Sequence, residues 1–76
     1  MTLYEFNLLS ENEQAMAVWQ GEYITSREDR DYTIMLYKVS DFYVEVYYNK
    51  GGNDIVRFNP FKARRRLELY LKFSLN

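Results

Sequence analysis

Glu45 lies inside the run Phe42-Tyr43-Val44-Glu45-Val46-Tyr47-Tyr48, a lone carboxylate among apolar and aromatic neighbours. Such a setting can desolvate an acid and perturb its titration, which is one way a general acid is made. Catalysis needs a constellation, however, and the chain contains neither histidine nor cysteine. The commonest general base, the commonest metal ligand and the thiolate nucleophile are therefore all missing. The plainer reading of Glu45 is exposure, or a cross-strand pair with Lys38. Glu28, Asp29 and Asp31 bring three carboxylates together, and hard cations take such oxygens. Their spacing lacks the glycine and the closing bidentate Glu of a calcium loop, and Arg27 and Arg30 interrupt it, so a solvated turn is expected. Gly51-Gly52 is followed by neither Gly-Lys-Ser/Thr nor a helix and does not read as a phosphate loop. No catalytic residue, metal ligand or cofactor site is expected.

Two features remain that can bind a partner. Lys62, Arg64, Arg65 and Arg66 form a short basic run that can lie along an anion or a nucleic-acid backbone. Ten Lys and Arg stand against eleven Asp and Glu in the whole chain, so the basic excess usual in nucleic-acid binders is absent. A solvated helix face is the simpler account of that run. The second feature is the tyrosines, eight in all, with Tyr32, Tyr37, Tyr43, Tyr47 and Tyr48 close together. Tyrosine combines a large contact area with one polar handle and suits interfaces, but it is also an ordinary strand residue.

The elements that must position these residues follow from caps and periodicity. Thr2-Leu3-Tyr4-Glu5 and Ser10-Glu11-Asn12-Glu13 both match the capping box, in which a hydroxyl accepts from the third helical amide and the Glu reaches back. They predict helices over residues 3–8 and 11–20. Ala15, Val18 and Trp19 give the second helix an apolar face, with Trp19 as its core anchor and Gly21 as the residue that ends it. From Glu22 the period changes to two. Strands are predicted over residues 22–27, 32–39, 42–48 and 55–58, with Ser40-Asp41 as a tight hairpin. Asn59-Pro60 then reads as the start of a C-terminal helix over residues 61–73. The fold class is α+β: one domain in two layers, an antiparallel meander of three or four strands over about 22–58, flanked by helices.

Composition agrees with a small globular domain. The 76 residues are 47% hydrophobic and 28% charged, with a net charge of −1. The charge is uneven, −5 over residues 1–31 and +5 over residues 56–76, so opposite ends can attract each other within or between chains. The first fourteen residues carry three Glu and no Lys or Arg, which does not fit a secretory signal, and no apolar run approaches the roughly 18 residues of a membrane span. A soluble cytoplasmic chain is expected.

The two-residue hairpin sets Val39 opposite Phe42, Tyr37 opposite Val44 and Met35 opposite Val46, and these six form the expected core face. The other face then carries Ile34, Leu36, Lys38, Tyr43, Glu45 and Tyr47. A chain of this length buries only about 60% of its unfolded surface, so that second face is expected to stay open, the competing reading being that the last helix crosses to it and completes the single chain. Ile34, Leu36, Tyr43, Glu45 and Tyr47 are the candidate interface. The expected function is a non-enzymatic protein-interaction module, a homodimer or a binder of another protein. Nucleic-acid binding through the basic run and a small molecule in a tyrosine-lined groove are the alternatives.

Overall fold

The computed structural model describes residues 1–51, 54–62 and 70. Two short helices, α1 (Leu3–Asn7) and α2 (Glu11–Trp19), precede four strands, β1 (Glu22–Glu28), β2 (Tyr32–Val39), β3 (Phe42–Asn49) and β4 (Ile55–Phe61). The strands form one antiparallel meander in sequence order. Both capping boxes are made. Thr2 Oγ1 accepts from the Glu5 amide at 3.0 Å, and the Thr2 amide donates to Glu5 Oε1 at 2.8 Å. Ser10 and Glu13 repeat the exchange at 3.3 and 2.9 Å. These bonds satisfy amides that a helix cannot satisfy internally, which lets helices this short hold.

The predicted hairpin register is the one formed, with Val39 opposite Phe42, Tyr37 opposite Val44 and Met35 opposite Val46. Ser40 takes φ 55°, the left-handed conformation a two-residue loop demands. Gly51, at φ 84°, serves the β3–β4 turn. Gly21 has no positive φ; there the reason is space, since a Cβ would come within 2.5 Å of the Lys38 carbonyl oxygen. Helix α2 thus passes into β1 close against the end of β2.

The helices cover one face of the sheet. Phe6 and Val18 join Val39, Phe42, Val44 and Val46 in a buried cluster, with Leu3, Leu9, Ala17, Met35 and Phe58 packed around it. Phe6 meets Phe42 and Phe58 edge-on, with ring centroids 5.6 and 6.3 Å away. Trp19 is not the core anchor expected of α2: it stays 47% exposed while Val18 is buried. The buried side of α2 runs through Gln14, Ala17 and Val18, and Gln14 Nε2 donates to the Phe6 carbonyl at 3.1 Å, tying the two helices together.

The end of the sheet differs from expectation. Asn59 and Pro60 do not start a helix; they continue β4, where Tyr43 pairs with Phe61, Val44 with Pro60 and Glu45 with Asn59. Proline is tolerated because β4 is the edge of the described sheet, where outward groups need no ladder partner. The remainder of the expected 61–73 helix lies outside the described residues, apart from Lys62 and Tyr70.

Candidate functional site

Alternation along β3 turns Glu45 and Tyr47 to the face away from the helices, beside Ile34 and Leu36 of β2. That face is not open. Ile34, Leu36, Glu45 and Tyr47 are all 3% exposed or less, and only Tyr43 is half-buried. The candidate interface residues are thus largely core residues of the single chain. Leu36, Phe61 and Tyr70 form a second apolar cluster, against which Tyr43 packs, its ring stacked on Phe61 at 5.7 Å. β4 is longer than expected and therefore brings Phe61 onto this face. A residue beyond the sheet, Tyr70, completes the cluster.

At the centre sits Glu45, fully buried. Among the described residues its carboxylate is met by four donors. Arg27 of β1 lies opposite Ile34 and reaches across β2, a span of two strand spacings of about 4.8 Å each, to put Nη2 3.1 Å from Glu45 Oε2. Asn59, opposite Glu45 in β4, donates Nδ2 to Oε1 at 2.8 Å. Tyr47 donates its hydroxyl to Oε1 at 3.3 Å, and Tyr70 donates its hydroxyl to Oε2 at 2.8 Å. Among the described residues each oxygen accepts from two groups, and such bonds are what make a buried carboxylate tolerable. The Arg27 guanidinium also lies 5.3 Å from the Tyr70 ring centroid, within cation–π range. Tyr47 is clamped in turn by Arg57, 4.2 Å from its ring centroid, and edge-on by Tyr32 at 5.6 Å.

The electrostatics follow this geometry. Burial works against the Arg27 charge, but hydrogen bonding with Tyr70 and Glu45 outweighs it and holds the guanidinium above its ordinary pKa. Burial, then the hydrogen bond and charge of Glu45, push the Tyr70 hydroxyl well above the usual tyrosine value. The phenol is therefore firmly protonated and a committed donor. Glu45 is a fully buried acceptor held by hydrogen bonds. The expected Lys38 partner is not used, because the register sets Lys38 opposite Tyr43, at an exposed position.

The other predicted groups have local roles. The Asp29 carboxylate accepts from the Asp31 and Tyr32 amides at 2.9 and 2.8 Å, closing the β1–β2 turn, and the Tyr32 amide chiefly holds its pKa below the ordinary value. Glu28 pairs with Lys50 at 3.2 Å. Lys62 is exposed and pairs with Asp41 at 3.4 Å; Arg64, Arg65 and Arg66 lie outside the described residues.

A second feature lies at the opposite edge. Tyr37 is met edge-on by Trp19 from α2 and by Tyr23 from β1, each at 5.5 Å. Trp19 and Tyr23 are about half exposed. Ile24 and Met16 are exposed nearby in sequence, Ile24 at the irregularity where the β1–β2 register shifts. Among the described residues β1 pairs only with β2, so its other edge presents backbone groups that no described strand meets.

Sequence reasoning missed Arg27, Asn59 and Tyr70 as partners of Glu45. The available signal was the loop between β1 and β2: once Glu28 is paired with Thr33, Arg27 falls on the face of Ile34 and hence of Glu45. No protein-family model matches this chain, and no curated protein or solved structure matches it either.

Proposed function

We propose that the protein is a non-enzymatic interaction module that pairs with a second copy through the β1 edge and the aromatic strip beside it. The observation that carries this reading is half-exposed Trp19 and Tyr23, packed edge-on against Tyr37, beside a seven-residue strand whose outer edge meets no described strand. Large aromatic rings held in fixed geometry at the surface are the residues from which interface centres are built. The two sheet edges are not equivalent. β4 carries Pro60, which blunts strand addition, whereas β1 contains no proline. Two β1 edges related by a twofold axis would continue the sheet and place each Trp19–Tyr23 strip against the joint. The chemistry-bearing groups support a non-catalytic role: Glu45 is enclosed, and Asp29 and Glu28 are engaged in the β1–β2 turn and a surface ion pair.

Sedimentation equilibrium at micromolar concentration tests the reading. The expected result is twice the 9.3 kDa chain mass, returning to the single-chain mass in a Tyr23→Asp variant that keeps its circular dichroism spectrum. A single-chain mass for the unmodified protein, or a salt-sensitive shift of labelled RNA or DNA without dimerisation, would overturn it.

A further inference from the structure

The Glu45 cluster has the form of a recognition site as well as of a core. Four of its members stand on three strands and are joined by bonds that do not involve Tyr70: Arg27 to Glu45 at 3.1 Å, Asn59 to Glu45 at 2.8 Å, and Tyr47 to Glu45 at 3.3 Å. The Tyr47 ring is fixed by Arg57 and Tyr32. Tyr70 enters this frame from outside the sheet, placing its hydroxyl on Glu45 Oε2, its ring by the Arg27 guanidinium, and its apolar body in one cluster with Leu36 and Phe61. Arg27 Nε is buried without a hydrogen-bond partner among the described residues. The guanidinium is thus oriented for Glu45 and the ring at the expense of its own third donor site.

We propose that Arg27, Glu45, Tyr47 and Asn59 form a preformed socket for a para-substituted phenol, filled in the resting protein by Tyr70 and able to take a free phenol when that side chain is absent. The selectivity follows from the groups present. A carboxylate acceptor demands a donor at the tip of the ligand. A guanidinium beside the ring demands a π-system and repels an ammonium group. Glu45 itself repels a carboxylate ligand, and a benzyl group lacking the hydroxyl cannot replace the bond that Tyr70 donates to Oε2.

The test uses the full chain with Tyr70→Ala and the probe p-cresol, with toluene as the hydroxyl-free control. The expected result is a saturable rise in the thermal midpoint of Tyr70→Ala with p-cresol, a much smaller rise with toluene, and a reduced preference between them in Tyr70→Ala/Glu45→Gln, whose amide oxygen accepts more weakly than the carboxylate. Equal action of the two probes on Tyr70→Ala, or an equal rise with p-cresol in the unmodified protein, overturns the socket. Should Tyr70→Ala not fold in either probe, the cycle of Tyr70→Phe with Glu45→Gln decides. Coupling of about tenfold or more in the unfolding equilibrium constant is expected, as for a hydrogen bond to a charged group. Simple additivity of the two changes overturns the proposal.

Discussion

Replacing Arg27 with methionine keeps the length and apolar stem of the side chain but removes the only cation hydrogen-bonded to Glu45 among the described residues. Glu45 would remain fully buried, holding Tyr70, Asn59 and Tyr47 as neutral donors at 2.8, 2.8 and 3.3 Å. Removing one partner of a buried ion pair costs about 3–5 kcal/mol, because the attraction that offset the desolvation of the remaining charge is lost. Two features place Arg27→Met at the low end. The Arg27 side chain is 14% exposed, so water already screens part of the attraction, and three neutral donors persist. The expected loss is about 3 kcal/mol. A domain of this size has a total stability of roughly 4–11 kcal/mol, so the change is large. With a urea dependence of roughly 1 kcal/mol/M, the midpoint should fall by about 3 M. Far-UV circular dichroism gives the transition, and the fluorescence of half-exposed Trp19 is a second probe of the same event. A double-mutant cycle with Glu45→Gln then isolates the pair, with coupling of about 2 kcal/mol or more expected. A loss below about 1 kcal/mol, or additive single changes, would show that Arg27–Glu45 behaves as a surface ion pair and would refute the reasoning.

Further expectations are direct. The folded-state pKa of Tyr70 is raised above its ordinary value of 10.0 by burial and then by Glu45, and burial raises Tyr37 and Tyr48 as well, so the stability tied to their protonation is complete below pH 10 and is lost as pH rises beyond it. Urea midpoints measured across the alkaline range should therefore fall, and Tyr70→Phe should flatten that fall; an unchanged slope would remove Tyr70 from the account. Phe6→Ala should cost about 3–5 kcal/mol, since Phe6 is fully buried against Phe42 and Phe58, whereas Trp19→Ala should cost far less in the single chain. Gly21→Ala should cost about 1–3 kcal/mol, because its Cβ would press on the backbone of Lys38 and Val18 and shift the α2–β1 passage; chemical denaturation reads it directly. Ser40→Gly should leave stability equal or raise it by up to about 1 kcal/mol, as glycine accepts φ 55° without strain; a clear loss would mean that the contact of the N-terminal amine with Ser40 Oγ, at 3.4 Å, matters more.

Local rules made much of this fold legible. Thr2 with Glu5, and Ser10 with Glu13, mark both helix starts because a capping box lies within four residues and needs nothing distant. The Val39–Phe42 hairpin register follows from a two-residue loop and strict alternation, and it correctly separated the Met35–Val46 face from the Ile34–Tyr47 face. What the second face does was not local. Whether Glu45 is exposed, paired with Lys38 or buried with Arg27 depends on how β1 aligns with β2 and how far β4 extends along β3. Those alignments join residues 14 to 18 positions apart through turns whose length sequence pattern does not specify. Asn59-Pro60 misled because the same dipeptide suits a helix start and an edge strand, and pairing with Val44 and Glu45 decided between them. Tyr70 is 25 positions from Glu45, and no periodicity connects the two. The sequence by itself determined the two helix starts, the antiparallel meander and which side chains of β2 and β3 share a face. Tertiary structure alone decided that the apolar second face closes around a charged pair, because only there do Arg27, Asn59 and Tyr70 meet the carboxylate that burial would otherwise forbid.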